Sequence, residues 1–151
     1  MYTTILMEEP MHEFKHDPPV ARLAVSKHAY LDTHPKAAFK LTATSALVLN
    51  TSSASAPRVF LLQRATSDSN PDKGMTPGGA VDDDDLSILY AAARELWEEA
   101  GLWATHICGP VGEPYFFARS NGDKACLFNF TIYVENEDDV FLTARLDPKE
   151  H

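Results

Sequence analysis

One stretch constrains this chain more than any other. It runs Pro77-Gly78-Gly79-Ala80-Val81 and then Asp82-Asp83-Asp84-Asp85, continues as a helical run, and closes on Arg94-Glu95-Leu96-Trp97-Glu98-Glu99-Ala100-Gly101-Leu102. Leu86, Leu89, Ala93, Leu96, Trp97 and Ala100 recur at helical spacing and are expected to form a buried stripe. Gly101 is the residue expected to stop the helix in the left-handed conformation. Glu95, Glu98 and Glu99 stand at i, i+3 and i+4, so their carboxylates share another face.

That acidic face costs stability. Like charges at these spacings destabilise a helix by about 0.2–0.5 kcal/mol per pair. Negative charge in the last turn also opposes the helix dipole by about 0.3–1 kcal/mol each. Arg94 compensates one carboxylate, Glu98, at i+4. Two explanations stand side by side: a solvated charged face, or a site where a divalent cation supplies the missing positive charge. Hard cations such as Mg²⁺ take oxygen ligands, commonly one or two carboxylates together with substrate phosphates. Gly78 and Gly79 allow the backbone to approach a ligand closely, or simply make a turn. Asp82 to Asp85 are expected to cap the free N–H groups of the helix that follows and to suit its positive end. Asp85 is therefore read as a cap in preference to a ligand.

At these residues the chain resembles the Nudix hydrolase family, whose signature is G-x5-E-x7-R-E-U-x-E-E-x-G-U, with U a bulky aliphatic residue. Arg94 through Leu102 match the second half at every fixed position. In the first half five residues lead from Gly79 to Asp85, where the family has Glu, and eight residues instead of seven separate Asp85 from Arg94. The match thus contains one acidic exchange and one inserted residue, placed at the junction of loop and helix.

The resemblance implies an α/β fold, a mixed sheet flanked by helices in an α/β/α sandwich, over residues 41–151, with residues 1–40 as an N-terminal arm or lead-in. It implies metal-dependent hydrolysis of a diphosphate linkage in a nucleoside diphosphate derivative or related pyrophosphate compound. Glu98 and Glu99, helped by Glu95 and by the backbone carbonyl of Gly79, would bind Mg²⁺ or Mn²⁺. Arg94 would hold the glutamates in place. The general base is left open, with Glu95 one candidate. The alternative is a protein of this fold that binds or regulates without turnover.

Composition narrows the partners. The 151 residues suit one sizeable core, and 44% hydrophobic with 23% charged residues is ordinary for a globular protein. A net charge of −9 argues against a broad nucleic-acid interface, but not against a small phosphorylated substrate held through a cation. Cys108 and Cys126 make no disulfide framework and no evident ligand spacing, and are read as reduced core thiols. No basic leader and no long apolar run is visible, so a cytoplasmic protein without membrane contact is expected.

His12-Glu13-Phe14-Lys15-His16 spells the H-E-x-x-H of zinc proteases, a rival activity. That chemistry needs both histidines on one face of a stable helix. Pro10, Pro18 and Pro19 leave room for about two turns, so a solvated arm is expected here.

The remaining elements are expected as follows: a strand at Ala21–Val25, a helical turn near Lys27–Thr33, strands at Leu41–Asn50 and Arg58–Arg64 forming a hairpin, and a loop over Ala65–Met75. Then come a strand at Trp103–Cys108, a hairpin of Tyr115–Arg119 with Ala125–Glu135, and a last strand at Val140–Leu146. Tyr115, Phe116 and Phe117 are read as core, with stacking on a base as the alternative. The chain stops soon after its last strand candidate. A shortened domain is therefore expected, with one sheet face less covered than usual and a tendency to form a homodimer or to associate.

Overall fold

The computed structural model describes residues 10–34, 41–50, 58–63 and 74–135. Strand β1 (Lys15–His16) leads into a 3₁₀ turn (Pro18–Leu23) and helix α1 (Lys27–Thr33). Strands β2 (Leu41–Leu47), β3 (Leu49–Asn50), β4 (Arg58–Val59), β5 (Leu62–Gln63), β6 (Gly74–Met75) and β7 (Gly78–Ala80) follow. Helix α2 (Ile88–Ala100) comes next, then β8 (Ala104–Cys108), β9 (Tyr115–Ala118) and β10 (Lys124–Val134). This is the expected α/β class, a mixed sheet with flanking helices.

The sheet is organised on β10, the alternating run around Phe128. Its order is β1-β8-β10-β2-β7, with β9 also paired to β10. Strand β10 runs parallel to β2 along Ala125–Thr131. On its other edge it is antiparallel to β9 near its start and to β8 near its end. Strand β7 adds antiparallel to β2, with Gly79 opposite Thr44 and Gly78 opposite Ser45. Two short antiparallel pairs, β3 with β4 and β5 with β6, lie beside this sheet.

One face of the sheet is the core face. Cys126, Phe128, Phe130, Ile132 and Val134 are buried, while Leu127, Asn129, Thr131 and Tyr133 between them are half-buried or exposed, the period of two that a strand imposes. The core cluster joins Phe128, Phe130 and Ile132 to Ile107, to Ile88, Leu89 and Leu96 of α2, and to Val20, Leu23 and Tyr30 from the N-terminal segment. Tyr30 meets Phe128 edge to face at 5.5 Å, a favourable aromatic geometry.

Several expectations change. Ala21–Val25 is not a strand: Pro18 and Pro19 preset the backbone for the 3₁₀ turn, which buries Val20 and Leu23 three residues apart. The H-E-x-x-H stretch is neither helical nor a solvated arm. His12 is buried, its ring against Trp103 at 4.8 Å, Tyr90 at 5.4 Å and Trp97 at 6.1 Å, whereas His16 sits in β1, paired parallel to β8. The zinc-protease geometry is absent. Tyr115, Phe116 and Phe117 are exposed on β9, not core. The Leu41–Asn50 strand breaks at Val48, and the Arg58–Arg64 strand divides into β4 and β5. The Val140–Leu146 strand and most of the Ala65–Met75 loop lie outside the described residues.

Helix α2 starts later than its apolar pattern suggests. Leu86 is 65% exposed and precedes it. The helix buries Ile88, Leu89, Ala91, Ala92, Ala93, Leu96 and Ala100, a wider band than the expected stripe. Its N-cap is Ser87, whose hydroxyl accepts from the backbone N–H of Tyr90 at 2.9 Å. Gly101, at φ 68°, closes it as expected. None of the four aspartates caps it. Ser87→Ala should therefore cost about 0.5–2 kcal/mol, read as a lower urea midpoint with an unchanged slope.

Candidate active site on helix α2

The site begins with an arginine that the sheet and helix bury together. Arg94 lies one turn and a half into α2, and its side chain is 9% exposed. An unpaired guanidinium there would carry a desolvation penalty of several kcal/mol. All five of its N–H groups can be matched to acceptors. Nε donates to Asp85 Oδ1 at 2.8 Å and Nη2 to Asp85 Oδ2 at 2.9 Å, the bidentate fork that carboxylates favour. Nη2 also donates to the carbonyl of Ala80 at 3.2 Å. Nη1 donates to Glu95 Oε1 at 3.1 Å and Glu98 Oε2 at 3.0 Å. The hydrogen bonds to Asp85 hold the Arg94 pKa above its ordinary value, against the opposing effect of burial.

Asp85 is thereby placed by a role different from the expected cap. Its carboxylate is 4% exposed and also accepts from the backbone N–H of Asp82 at 2.8 Å. The loop closes on itself, with the Asp85 N–H donating to the Asp82 carbonyl at 3.2 Å. Helix α2 is continuous from Ile88, so the additional residue of the motif is accommodated ahead of it, where Leu86 is exposed. Asp83 turns the other way, to Lys27 at the start of α1. That contact and the hydrogen bond from Ile88 N–H to the Val25 carbonyl tie the loop and α2 to the N-terminal segment.

The three glutamates are gathered beside β7 but not onto one point. Glu99, 4% exposed, accepts from the backbone N–H of Gly78 at 3.0 Å. Glu95 lies against Gly79: a Cβ on that residue would come within 2.6 Å of the Glu95 carboxylate carbon. Glu98 is the most exposed, at 33% of its side chain. Arg94 Nη1 stands between Glu95 and Glu98. Gly78 has a second reason to be glycine, since a Cβ there would overlap the Thr44 carbonyl at 2.1 Å.

Beside Glu98 opens a cleft of about 530 Å³ lined by Asp82, Asp84, Asp85, Arg94, Glu98, Tyr90, Leu86 and Met11. Its acidic wall would repel a bare phosphate ester, so an anionic ligand here requires added positive charge. The donors are all oxygens, and Glu95 fills the space that the missing Cβ of Gly79 leaves. Both features suit a hard divalent cation.

Another group of donors was missed in the sequence. Among the described residues, Asp17, His106 and Cys108 form the one set of three His, Cys, Asp or Glu whose donor atoms all lie within 4.8 Å of one another. His106 Nε2 is 2.6 Å from Asp17 Oδ1. Hydrogen bonds from Cys108 and then His106 hold the Asp17 carboxyl below its usual range. Burial, and then Asp17, push the Cys108 thiol up to about 11. Cys126 is the core thiol that was expected, and Cys108, half-buried, is not. The usable signal was His106 and Cys108 two apart on a strand, hence on one face.

Comparison with known proteins agrees with this architecture. The model of the NUDIX domain matches residues 40–151. Among solved structures, the MutT protein from Methanosarcina mazei Go1 is 26% identical, with a TM-score of 0.53 over 74% of this chain and 71% of that one. An Ap4A hydrolase from C. elegans, in a binary complex, is 22% identical, with a TM-score of 0.55 over 74% and 75%. The NUDIX domain of NrtR from Shewanella oneidensis, complexed with ADP ribose, is 20% identical, with a TM-score of 0.50 over 72% and 71%. No curated protein matches the chain. Among the described residues no helix is long and apolar enough to cross a membrane.

The buried fork makes a direct prediction. Asp85→Ala leaves Arg94 without its principal partner and should cost about 3 kcal/mol, more than a lost cap. Asp84→Ala, at an exposed position of the same loop, should stay within about 0.5 kcal/mol of the parent. Urea denaturation of the two variants measures the difference, and equal midpoints would refute the assignment.

Proposed function

The chain belongs to the Nudix family, and from that premise we propose that it is a metal-dependent pyrophosphohydrolase acting on a nucleoside diphosphate derivative or a related pyrophosphate compound. The observation that carries this reading is the placement of Glu95 and Glu99 against Gly79 and Gly78, with Glu98 of the same helix face lining an acidic cleft. Relatives of the same fold are an Ap4A hydrolase and a domain complexed with ADP ribose. Dinucleoside polyphosphates and ADP-ribose are accordingly the first substrates to test, ahead of oxidised nucleotides, coenzyme A and inositol pyrophosphates.

Each residue has a part in this proposal. Glu98 and Glu99, with Glu95 and the backbone carbonyl of Gly79, hold Mg²⁺ or Mn²⁺. Such an ion, when bound, polarises phosphate oxygens and lowers the pKa of the attacking water. Arg94 is a positioning residue: its guanidinium faces Asp82, Asp85, Glu95 and Glu98 and orients two of the glutamates. The Gly78 N–H fixes one Glu99 oxygen and so holds the carboxylate beside β7. Tyr90, Leu86 and Met11 give the cleft a less polar wall against which the organic part of a substrate can lie. Glu95, close to the reacting centre in this arrangement, is a candidate general base.

A hydrolysis screen across these substrates with Mg²⁺ and with Mn²⁺ tests the reading. Metal binding without phosphate release from any of them would favour the alternative, a regulatory protein of the same fold. Millimolar Mg²⁺ should raise the melting temperature of the parent by mass action, and the rise should vanish when Glu95, Glu98 and Glu99 are all changed to Gln. Glu98→Gln and Glu99→Gln should each remove most turnover. The first should alter stability by no more than about 1 kcal/mol, as expected for a partly exposed i,i+4 pair. Full turnover in both would exclude them as ligands.

Gly79→Ala separates the site from the fold. The three atoms nearest to the added Cβ all belong to the end of the flexible Glu95 side chain, so the protein should fold while Glu95 is displaced. A displacement on the scale of 1 Å is expected to lower turnover by about 100-fold, with a melting temperature close to that of the parent. Unchanged turnover would remove Glu95 from the machinery.

A further inference from the structure

On the sheet face opposite Ile107 and Ile132, two strands bring together three donors that the reaction above does not use. His106 and Cys108 alternate with Ile107 along β8, opposite Tyr133 and Thr131 of β10. Asp17 follows β1 directly, and its backbone N–H donates to the Ile107 carbonyl at 3.1 Å. That hydrogen bond fixes the Asp17 backbone in register with β8 and aims its carboxylate at the two β8 side chains. We propose that Asp17, His106 and Cys108 form a second metal site, selective for zinc over magnesium, that clamps the N-terminal strand β1 to β8.

The donor chemistry decides the ion. One thiolate, one imidazole and one carboxylate form a mixed S, N, O set, which suits Zn²⁺ and not the all-oxygen preference of Mg²⁺. Tetrahedral zinc with bonds of about 2.0–2.3 Å separates its ligand atoms by roughly 3.3–3.6 Å. The three donors already lie within 4.8 Å of one another. His106 Nε2 and Asp17 Oδ1, at 2.6 Å, need to part by roughly 0.7 Å, a small side-chain adjustment. The side chains of His106 and Asp17 are 38% and 41% exposed, so water can reach the fourth position. A Cys–His–Asp nucleophile fits less well. Both His106 Nε2 and the Cys108 thiol point to Asp17, so the imidazole is not set to take the thiol proton.

The clamp has a purpose in this fold. Strand β1 has only two residues at the sheet's edge, and residues 89 positions apart meet there. A metal crosslink would hold the segment that carries His12 against Tyr90, Trp97 and Trp103.

Cobalt reports the site directly. Co²⁺ added to the metal-stripped full chain should produce, at one equivalent, thiolate-to-cobalt charge-transfer absorption with tetrahedral d–d bands, and Zn²⁺ should displace it. The Glu98→Gln, Glu99→Gln double variant should keep both signals, which separates this site from the glutamates of α2. Cys108→Ser should abolish the charge-transfer band. Asp17→Asn, at a half-exposed position, should weaken Co²⁺ binding by more than the roughly tenfold that losing even a supporting residue costs. Absence of the band in the parent, its persistence in Cys108→Ser, or unchanged affinity in Asp17→Asn would each overturn the proposal.

Discussion

The buried fork between Arg94 and Asp85 is the interaction on which the site depends. A guanidinium that is 9% exposed and a carboxylate that is 4% exposed are costly to desolvate. They are stable inside because every donor of the arginine can meet an acceptor. Those acceptors come from four places: the Asp85 loop, the Ala80 carbonyl, Glu95 and Glu98. Satisfying one charge therefore joins β7, the loop after it and the acidic face of α2. The glutamates that make the helix expensive by itself are partly neutralised by the same group.

Strand β7 fits closely between β2 and helix α2 because of two glycines. Gly78 lies so near the Thr44 carbonyl that a methyl group would overlap it, and Gly79 gives its side-chain space to the Glu95 carboxylate. Alanines Ala91, Ala92 and Ala93 on α2 serve the same end, as small residues that are almost completely buried. The glutamate face is thus carried by a helix whose other sides are packed and whose start is capped by Ser87. Rigid support of this kind is what a site that must hold carboxylates in place requires.

Much of the arrangement was legible in the chain. The spacing of Glu95, Glu98 and Glu99, the stop at Gly101, helix α1, and the alternation around Phe128 each rest on a local period or a local cap. The structure has each where it was expected. Less legible were the features whose partner lies far away in sequence. Asp85 looks like a cap because acids before a helix usually are. Its actual partner is nine residues on, and Ser87, two residues later, provides the cap. Tyr115, Phe116 and Phe117 look like core by composition, yet β9 has all three exposed. The apolar band of α2 was drawn too narrow and two residues too early, because Leu86 fits the period while lying outside the helix.

The sequence by itself determined the acidic helix and its stop at Gly101, since these follow from a period of 3.6 residues and from glycine's ease in the left-handed conformation, while the mixed α/β class came from the resemblance carried by Arg94 to Leu102. Only the tertiary structure decided that Asp85 serves Arg94, that His12 is packed among Tyr90, Trp97 and Trp103, and that Asp17 meets His106, 89 positions away, together with Cys108. The physical reason is that burial and pairing are properties of the folded whole. A charged or polar side chain in a linear sequence carries no mark of whether its partner will be water, a neighbour one turn away, or a strand that arrives from the other end of the chain.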